Sequence, residues 1–183
     1  MRPRFCHSVF AIAFLFCISS VSGTSLAQAT PEMKPEMKMD HPAVATGPLK
    51  ITFGSQSAEW PPETLAALPQ VTVTAYNEHA KASQTFTGVP LSALLTRLGV
   101  SEKPHGGKDF RLYLVAEGAD GYGVVYSIGE VTPDVHDGTV LVALTIDGKP
   151  LGANGPFQLV ATGEKRPARW VRNLAAIRVL TAQ

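Results

Sequence analysis

The sequence predicts an α+β fold of mixed twisted β-sheets with short helices, and three observations carry that reading. Runs that alternate like strands outnumber runs with helical spacing. The helical runs are short and bounded by proline or glycine. No strand–helix–strand rhythm repeats, which argues against a doubly wound parallel sheet.

Taken in order, Leu49-Lys50-Ile51-Thr52-Phe53 alternates as a short strand, and Val71-Thr72-Val73-Thr74-Ala75-Tyr76 alternates more strictly with β-branched residues. Between them, Pro61 to Pro69 predicts a short helix opened and closed by proline. Phe86-Thr87-Gly88-Val89 leads into Pro90, after which Leu91, Leu94, Leu95 and Leu98 recur at helical spacing until Gly99 stops the helix. A helix with one apolar face packs on a sheet. Phe110 to Ala116 and Gly123 to Tyr126 predict two strands about the turn Gly118-Ala119-Asp120-Gly121. Leu141 to Ile146, the hairpin turn Asp147-Gly148, and Phe157 to Ala161 predict another pair, and Leu174 to Leu180 a closing strand.

The N-terminal 48 residues read differently. Arg2 and Arg4 precede an apolar run from Val9 to Ile18, and Ala27-Gln28-Ala29 offers the small–x–small pattern of signal peptidase sites. Residues 1–29 are therefore expected to be a cleaved signal peptide and the protein to be periplasmic, with a cut after Ala27 nearly as good. The apolar segment is shorter than the roughly 20 residues a bilayer core needs. Phe14-Leu15-Phe16 is too bulky to make Cys17 a lipoprotein acceptor. Residues 30–48, with Pro-Glu-Met-Lys duplicated at 31–34 and 35–38, read as a flexible linker, and the domain is expected to span 49–183.

Composition narrows the chemistry. With Lys+Arg 16 against Asp+Glu 15 in 183 residues, no nucleic-acid partner is implied. Cys6 and Cys17 both fall in the leader, so the exported chain has no thiol for a disulfide, a zinc–thiolate or iron–sulfur site, or a nucleophile. The sequence has no phosphate-cradling loop, dinucleotide fingerprint or Gly-x-Ser-x-Gly elbow. His41, His79, His105 and His136 lack the i, i+2 or i, i+4 pairing of metal sites and read as loop residues.

Three segments place polar or glycine-rich residues directly after core strands. Asn77-Glu78-His79 leaves the strand ending at Tyr76, a usual place for a site wall. Asp120-Gly121-Tyr122-Gly123 allows close backbone approach beside a flat ring, or is simply a hairpin turn. Gly152 to Val160 is followed by Glu164 to Arg172, where Lys165, Arg166, Arg169 and Arg172 put four cations beside Trp170. Such a cluster suits an anionic or planar heteroaromatic ligand; the alternative is a solvated loop whose Trp170 plugs the core.

The order of these segments is more specific than any one of them. Phe86-Thr87-Gly88-Val89-Pro90-Leu91 with Leu94-Leu95, Asp120-Gly121-Tyr122, Leu141-Val142-Ala143, Asp147 to Leu151, Gly155 to Val160 and Arg169-Trp170-Val171 together resemble the sulfite-oxidase-like molybdopterin-binding domain over about Leu68 to Leu180. The resemblance implies that fold, with a pterin held between loops at strand ends. In catalytic members a cysteine just after the strand matching Val71–Tyr76 ligates molybdenum, whereas this chain reads Ala75-Tyr76-Asn77 there. Molybdenum ligated by a protein thiolate is therefore not expected.

The resemblance thus implies a small exported pterin-binding protein that is non-catalytic and relays ligand state to the periplasmic domain of a membrane diguanylate cyclase or phosphodiesterase. The expected cofactor is a pterin or molybdopterin. Its candidate contacts are Asn77, His79, Asp120, Tyr122, Arg166, Arg169 and Trp170, with Trp170 or Tyr122 stacking, Asn77, Asp120 or Arg169 on the polar edge and Arg166 on any anionic tail. Two alternatives stay open. One is a molybdenum-cofactor oxidoreductase lacking the cysteine ligand, working with a membrane redox subunit. The other is a copper-binding accessory protein using Met33, Met37, Met39 and His41, whose soft thioethers suit Cu(I). Deleting Thr30 to Ala45 is expected to leave pterin binding unchanged. Cu(I) titration of the full and deleted chains checks the copper reading, which identical metal retention in both would reject.

Overall fold

The structure is a computed structural model that describes residues 47–183, all within one compact unit. The expected leader and nearly all of the expected linker lie outside the described residues. In chain order the first half comprises β1 (Leu49–Phe53), β2 (Gln56–Trp60), α1 (Pro62–Ala66), β3 (Val71–Asn77), β4 (Ala82–Pro90), α2 (Leu91–Arg97) and α3 (Gly107–Phe110). The second half comprises β5 (Leu112–Gly118), β6 (Gly123–Ser127), α4 (Ile128–Val131), β7 (Val140–Ile146), β8 (Lys149–Pro150), β9 (Gln158–Ala161) and β10 (Leu174–Thr181).

Two five-stranded sheets result. The first runs β2-β1-β10-β5-β6, with β1 and β10 parallel and every other pair antiparallel. The second runs β3-β4-β7-β8, with β9 also on β7. Among the described residues, mixed sheets and four helices of at most seven residues give the α+β class that the alternation predicts.

Local chemistry explains the elements. β1 buries Leu49 and Ile51 and exposes Lys50, as period-two alternation requires. α2 follows Pro90 without a break and buries Leu91, Leu94 and Leu95, with Leu98 buried at its C-cap. Seven residues are too few for a helix to persist alone in water, so α2 is held by packing its leucine face, each buried leucine contributing about 1.5–3 kcal/mol. Gly99 ends it at φ 84°, a conformation that costs a glycine little.

The structure differs from the sequence reading in several places. β2 and α4 were not expected, and Phe110 closes α3 rather than opening β5. β3 shows the strictest alternation yet buries no residue: it is an edge strand, with Val73 and Ala75 half-buried and Thr72, Thr74 and Tyr76 exposed. The hairpin after Asp147-Gly148 returns as the two-residue β8. A 3₁₀ turn at Gly152–Asn154 interrupts it, and the return resumes as β9 on the other half of β7.

Two close approaches fix the frame. At Gly88 the β4–β7 register shifts, and a Cβ there would lie 2.1 Å from the Val142 carbonyl oxygen, so β4 carries no side chain at this point. Near the second, Asn173 adopts φ 49°, donates its N–H to Asn154 O at 2.7 Å and accepts from Ala119 N–H at 2.9 Å. It thereby ties the 3₁₀ turn to the β5–β6 turn. Gly155, at φ 83°, packs against it where a Cβ would come within 2.4 Å of Asn173 Oδ1.

The core is built from leucine, valine, isoleucine, alanine and aromatic rings, and residues 47–183 contain neither cysteine nor methionine. Phe86 meets Trp170 edge-on at 5.1 Å between ring centroids. Gly88→Ala is expected to destabilise the fold by about 1–3 kcal/mol or more, because backbone rather than a flexible side chain must move. A denaturation midpoint measured beside the wild type checks this; an unchanged midpoint contradicts it.

Candidate functional site

Four elements end around one cavity of about 310 Å³. The exit of β3 brings Asn77 and His79, the β5–β6 turn brings Asp120 and Tyr122, and the first residue of β9 brings Gln158. The fourth element is the segment through the 3₁₀ turn Pro167–Arg169 to Arg172, which brings Pro167, Ala168, Trp170 and Arg172. Five of the seven residues expected from the sequence therefore line the same cavity.

Asn77 organises the rim. Its Oδ1 accepts from the His79 N–H at 3.0 Å, and its Nδ2 donates to Gln84 Oε1 at 2.7 Å. Asp120 Oδ1 accepts from the Tyr122 N–H at 3.0 Å, the Asx turn that aims the tyrosine across the opening. The Tyr122 hydroxyl donates to Ala168 O, so the expected stacking ring also clasps the opposite wall. Trp170 is only 8% exposed, and its indole N–H donates to Ala161 O at 2.9 Å. It plugs the core and lines the cavity at once.

Arg166 and Arg169, both expected to meet ligand, are not among the cavity-lining residues. The Arg166 side chain is exposed and lies 3.8 Å from Glu78. Arg169 lines a second, smaller hollow of about 130 Å³, where Nη1 donates to Glu130 Oε1 at 2.7 Å and Nη2 lies 2.6 Å from Glu164 Oε1 as an ion pair rather than an aligned hydrogen bond. Its guanidinium carbon sits 4.4 Å from the centroid of the Tyr126 ring, whose hydroxyl donates to Arg169 O at 2.7 Å. Two carboxylates claim this cation, which explains why it faces away from the cavity. The arginine that does reach the cavity is Arg172.

The sequence reading also passed over Gln158. It is 2% exposed, lies in an otherwise apolar strand, and its Oε1 is buried without a hydrogen-bond partner. The legible signal was one amide inside the run Phe157-Gln158-Leu159-Val160-Ala161.

Comparison with known proteins places this geometry in a family. The model of the oxidoreductase molybdopterin binding domain matches residues 53–183. The chain belongs to that family. Among solved structures, the sulfane dehydrogenase SoxCD from Paracoccus pantotrophus is similar in fold, with a TM-score of 0.57 and 23% identity over 75% of this chain. The chain covers 39% of that protein's length. No curated protein gives a significant match.

The cavity's donor set suits the organic part of a molybdopterin, the group this family is named for. Trp170 and Tyr122 offer ring surface, and Gln158, Asp120 and Arg172 offer polar groups of different sign. A metal is served less well. Residues 47–183 hold no cysteine, and no group of three or more His, Cys, Asp or Glu is placed to hold an ion among the described residues.

The electrostatics of the smaller hollow centre on Arg169. Burial alone would raise the Glu130 carboxyl, but hydrogen bonds from the Ser127 N–H and from Arg169 outweigh it and hold the group below its ordinary 4.5. Burial likewise opposes the charge on Arg169, and the Glu130 hydrogen bond and Glu164 charge overcome it, raising its pKa. Burial, then Glu164, pushes the Tyr126 phenol up, so it stays a donor to Arg169 O. A depressed carboxyl stabilises the fold above its unfolded pKa, and that contribution is lost as pH falls through the folded value. Glu130→Gln is accordingly expected to lower stability at neutral pH by less than about 1 kcal/mol, the pair being partly exposed. The gap to wild type should close as pH drops below 4.5. Urea midpoints across that range check it; a gap independent of pH contradicts it.

Proposed function

We propose that this is an exported, non-catalytic pterin-binding protein that reports ligand state to a membrane signalling partner. The observation that carries the reading is a cavity with aromatic and mixed polar walls in a domain without a thiolate to anchor molybdenum. A bicyclic pterin needs an aromatic surface, a few polar groups for its amide and amino edge, and enclosure. Trp170 and Tyr122 would supply the surface, Asp120 would accept from the amino group, and Arg172 or Gln158 would meet the remaining edge.

Export is supported by the pattern of Arg2, Arg4, the apolar run and Ala27-Gln28-Ala29. A reporting role is supported by the cavity wall. Pro167, Ala168 and Trp170 face the ligand space, while Arg169 between them joins the Glu130–Glu164 cluster on the other side. A ligand pressing on that wall acts on groups a partner can touch. The partner proposed is the periplasmic domain of a membrane diguanylate cyclase or phosphodiesterase, so that a pterin outside would govern cyclic-di-GMP inside.

Family membership favours a second reading, an oxidoreductase on a molybdenum cofactor whose sphere is completed without a cysteine. When bound, that group would supply the redox chemistry, and the cavity residues would orient its pterin. Under the first reading, adding tetrahydropterin to purified protein is expected to change tryptophan fluorescence with a saturable isotherm, and Trp60→Phe is expected to keep that change. No binding at high micromolar ligand would sink it. Stoichiometric molybdenum with redox activity, in protein exported by a cofactor-competent host, would establish the second reading instead.

A further inference from the structure

A strand at the end of a sheet turns the backbone N–H and C=O of alternate residues toward solvent, and folded proteins guard such rows with charge, proline, bulges or brevity. The other edges here are guarded. β8 is only Lys149 and Pro150, β2 carries Glu59, β9 is bridged to Val171, and the Val125 carbonyl of edge strand β6 accepts from Arg169 Nη1 at 3.4 Å. Among the described residues β3 is the exception. It ends its sheet with seven residues, Val71–Asn77, that hold no charge, no proline and no break in their register with β4.

The neighbouring strand fixes which groups of β3 are free. Thr85 of β4 turns toward the β7 side: its carbonyl accepts from the Asp147 N–H at 2.7 Å, and its own N–H donates to Asp147 Oδ1 at 2.8 Å. It therefore does not bond Thr74, the residue opposite it on β3. Thr74 and, two residues to either side, Thr72 and Tyr76 point their N–H and C=O away from β4, while Val71, Val73, Ala75 and Asn77 hold the ladder. The side chains agree. Thr72 and Thr87 stand opposite each other with their hydroxyl oxygens 3.0 Å apart, as the closer, non-bonded pairs of an antiparallel ladder allow. Among the described residues no hydrogen bond reaches the outward groups of Thr72, Thr74 or Tyr76.

This free row is centred on the middle residue of the strand. Set antiparallel to a second copy about Thr74, β3 pairs Thr74 with Thr74, Thr72 with Tyr76 and Tyr76 with Thr72, and every outward N–H and C=O of both copies finds a partner. We propose that β3 is a homodimer interface, a two-fold antiparallel pairing of this edge that joins the sheets of two copies into one. The fit of the free row to the two-fold axis is what favours a second copy over an unrelated strand. No like charges meet along the paired strands. Half-buried Val73 lies beside Ala75 of the second copy on the core side, and the exposed Tyr76 ring lies beside Thr72 on the solvent side. The same register sets Val71 of the second copy beside Asn77, which organises the cavity rim, so the cavity mouth adjoins the interface. The proposal does not depend on the pterin reading.

The test is sedimentation velocity on the purified protein across micromolar concentrations, with amide hydrogen exchange followed by NMR on the same samples. A monomer–dimer equilibrium is expected, with the amides of Thr72, Thr74 and Tyr76 protected only at concentrations where dimer is present. Because Thr74 lies on the axis, Thr74→Lys and Thr74→Glu each set like charges face to face and are expected to weaken the dimer about tenfold or more. An equimolar mixture of the two variants should restore it. The Thr74 side chain is exposed, so each variant alone is expected to keep the wild-type circular dichroism spectrum. A wild type that stays monomeric, a dimer equally stable in both variants, or a mixture no tighter than either variant alone overturns the assignment. So does protection of the three amides in a monomer, which would mean that a segment of the same chain covers the edge.

Discussion

An indole that is 92% withdrawn from water must give its N–H a partner, and Trp170 does so through Ala161 O on β9 while its ring meets Phe86 edge-on. Much of the site depends on that placement. The residues just before Trp170 form the wall of the large cavity, and Val171 just after it bridges to Leu159. The wall is then clasped from β6 and its preceding turn by two tyrosine hydroxyls, Tyr122 to Ala168 O and Tyr126 to Arg169 O. Remove the buried indole and the wall loses its anchor, whatever the ion pairs on its outer side do.

Those ion pairs have a separate job. Surface pairs add little to stability one at a time. Here Arg169 answers two carboxylates and a ring, and this directs it rather than holding up the fold. The consequence is a cavity lined by Asp120, Arg172 and the imidazole of His79, with Arg166 and Arg169 outside its lining. Gln158 is the most deeply buried of the neutral groups along it.

Sequence periodicity revealed the strands with a buried face and the helix with a leucine face, because burial writes itself into residue type. β1, α2, β7 and β10 were legible for that reason. β2 was not: Gln56-Ser57-Ala58-Glu59-Trp60 is held at a sheet edge by backbone pairing with β1, which leaves no apolar rhythm. α4 carries a readable capping box, Ser127 to Glu130, but four residues give no period. In the site, Asn77, His79, Asp120, Tyr122 and Trp170 could be found as polar or aromatic residues at strand exits. The direction of Arg169 could not: Glu164 stands in the same segment, but Glu130, which also claims it, lies 39 residues away in sequence.

The composition of the core has one more consequence. Methionine commonly fills irregular gaps, whereas this core is built of aliphatic side chains and rings, and the domain from residue 47 onward contains no sulfur atom. Peroxide and hypochlorous acid attack thioethers and thiols first, turning apolar side chains into polar ones that cores cannot hold. This core offers them no such target. Every oxidisable sulfur in the chain sits in the first 39 residues, ahead of the cavity and of everything that shapes it.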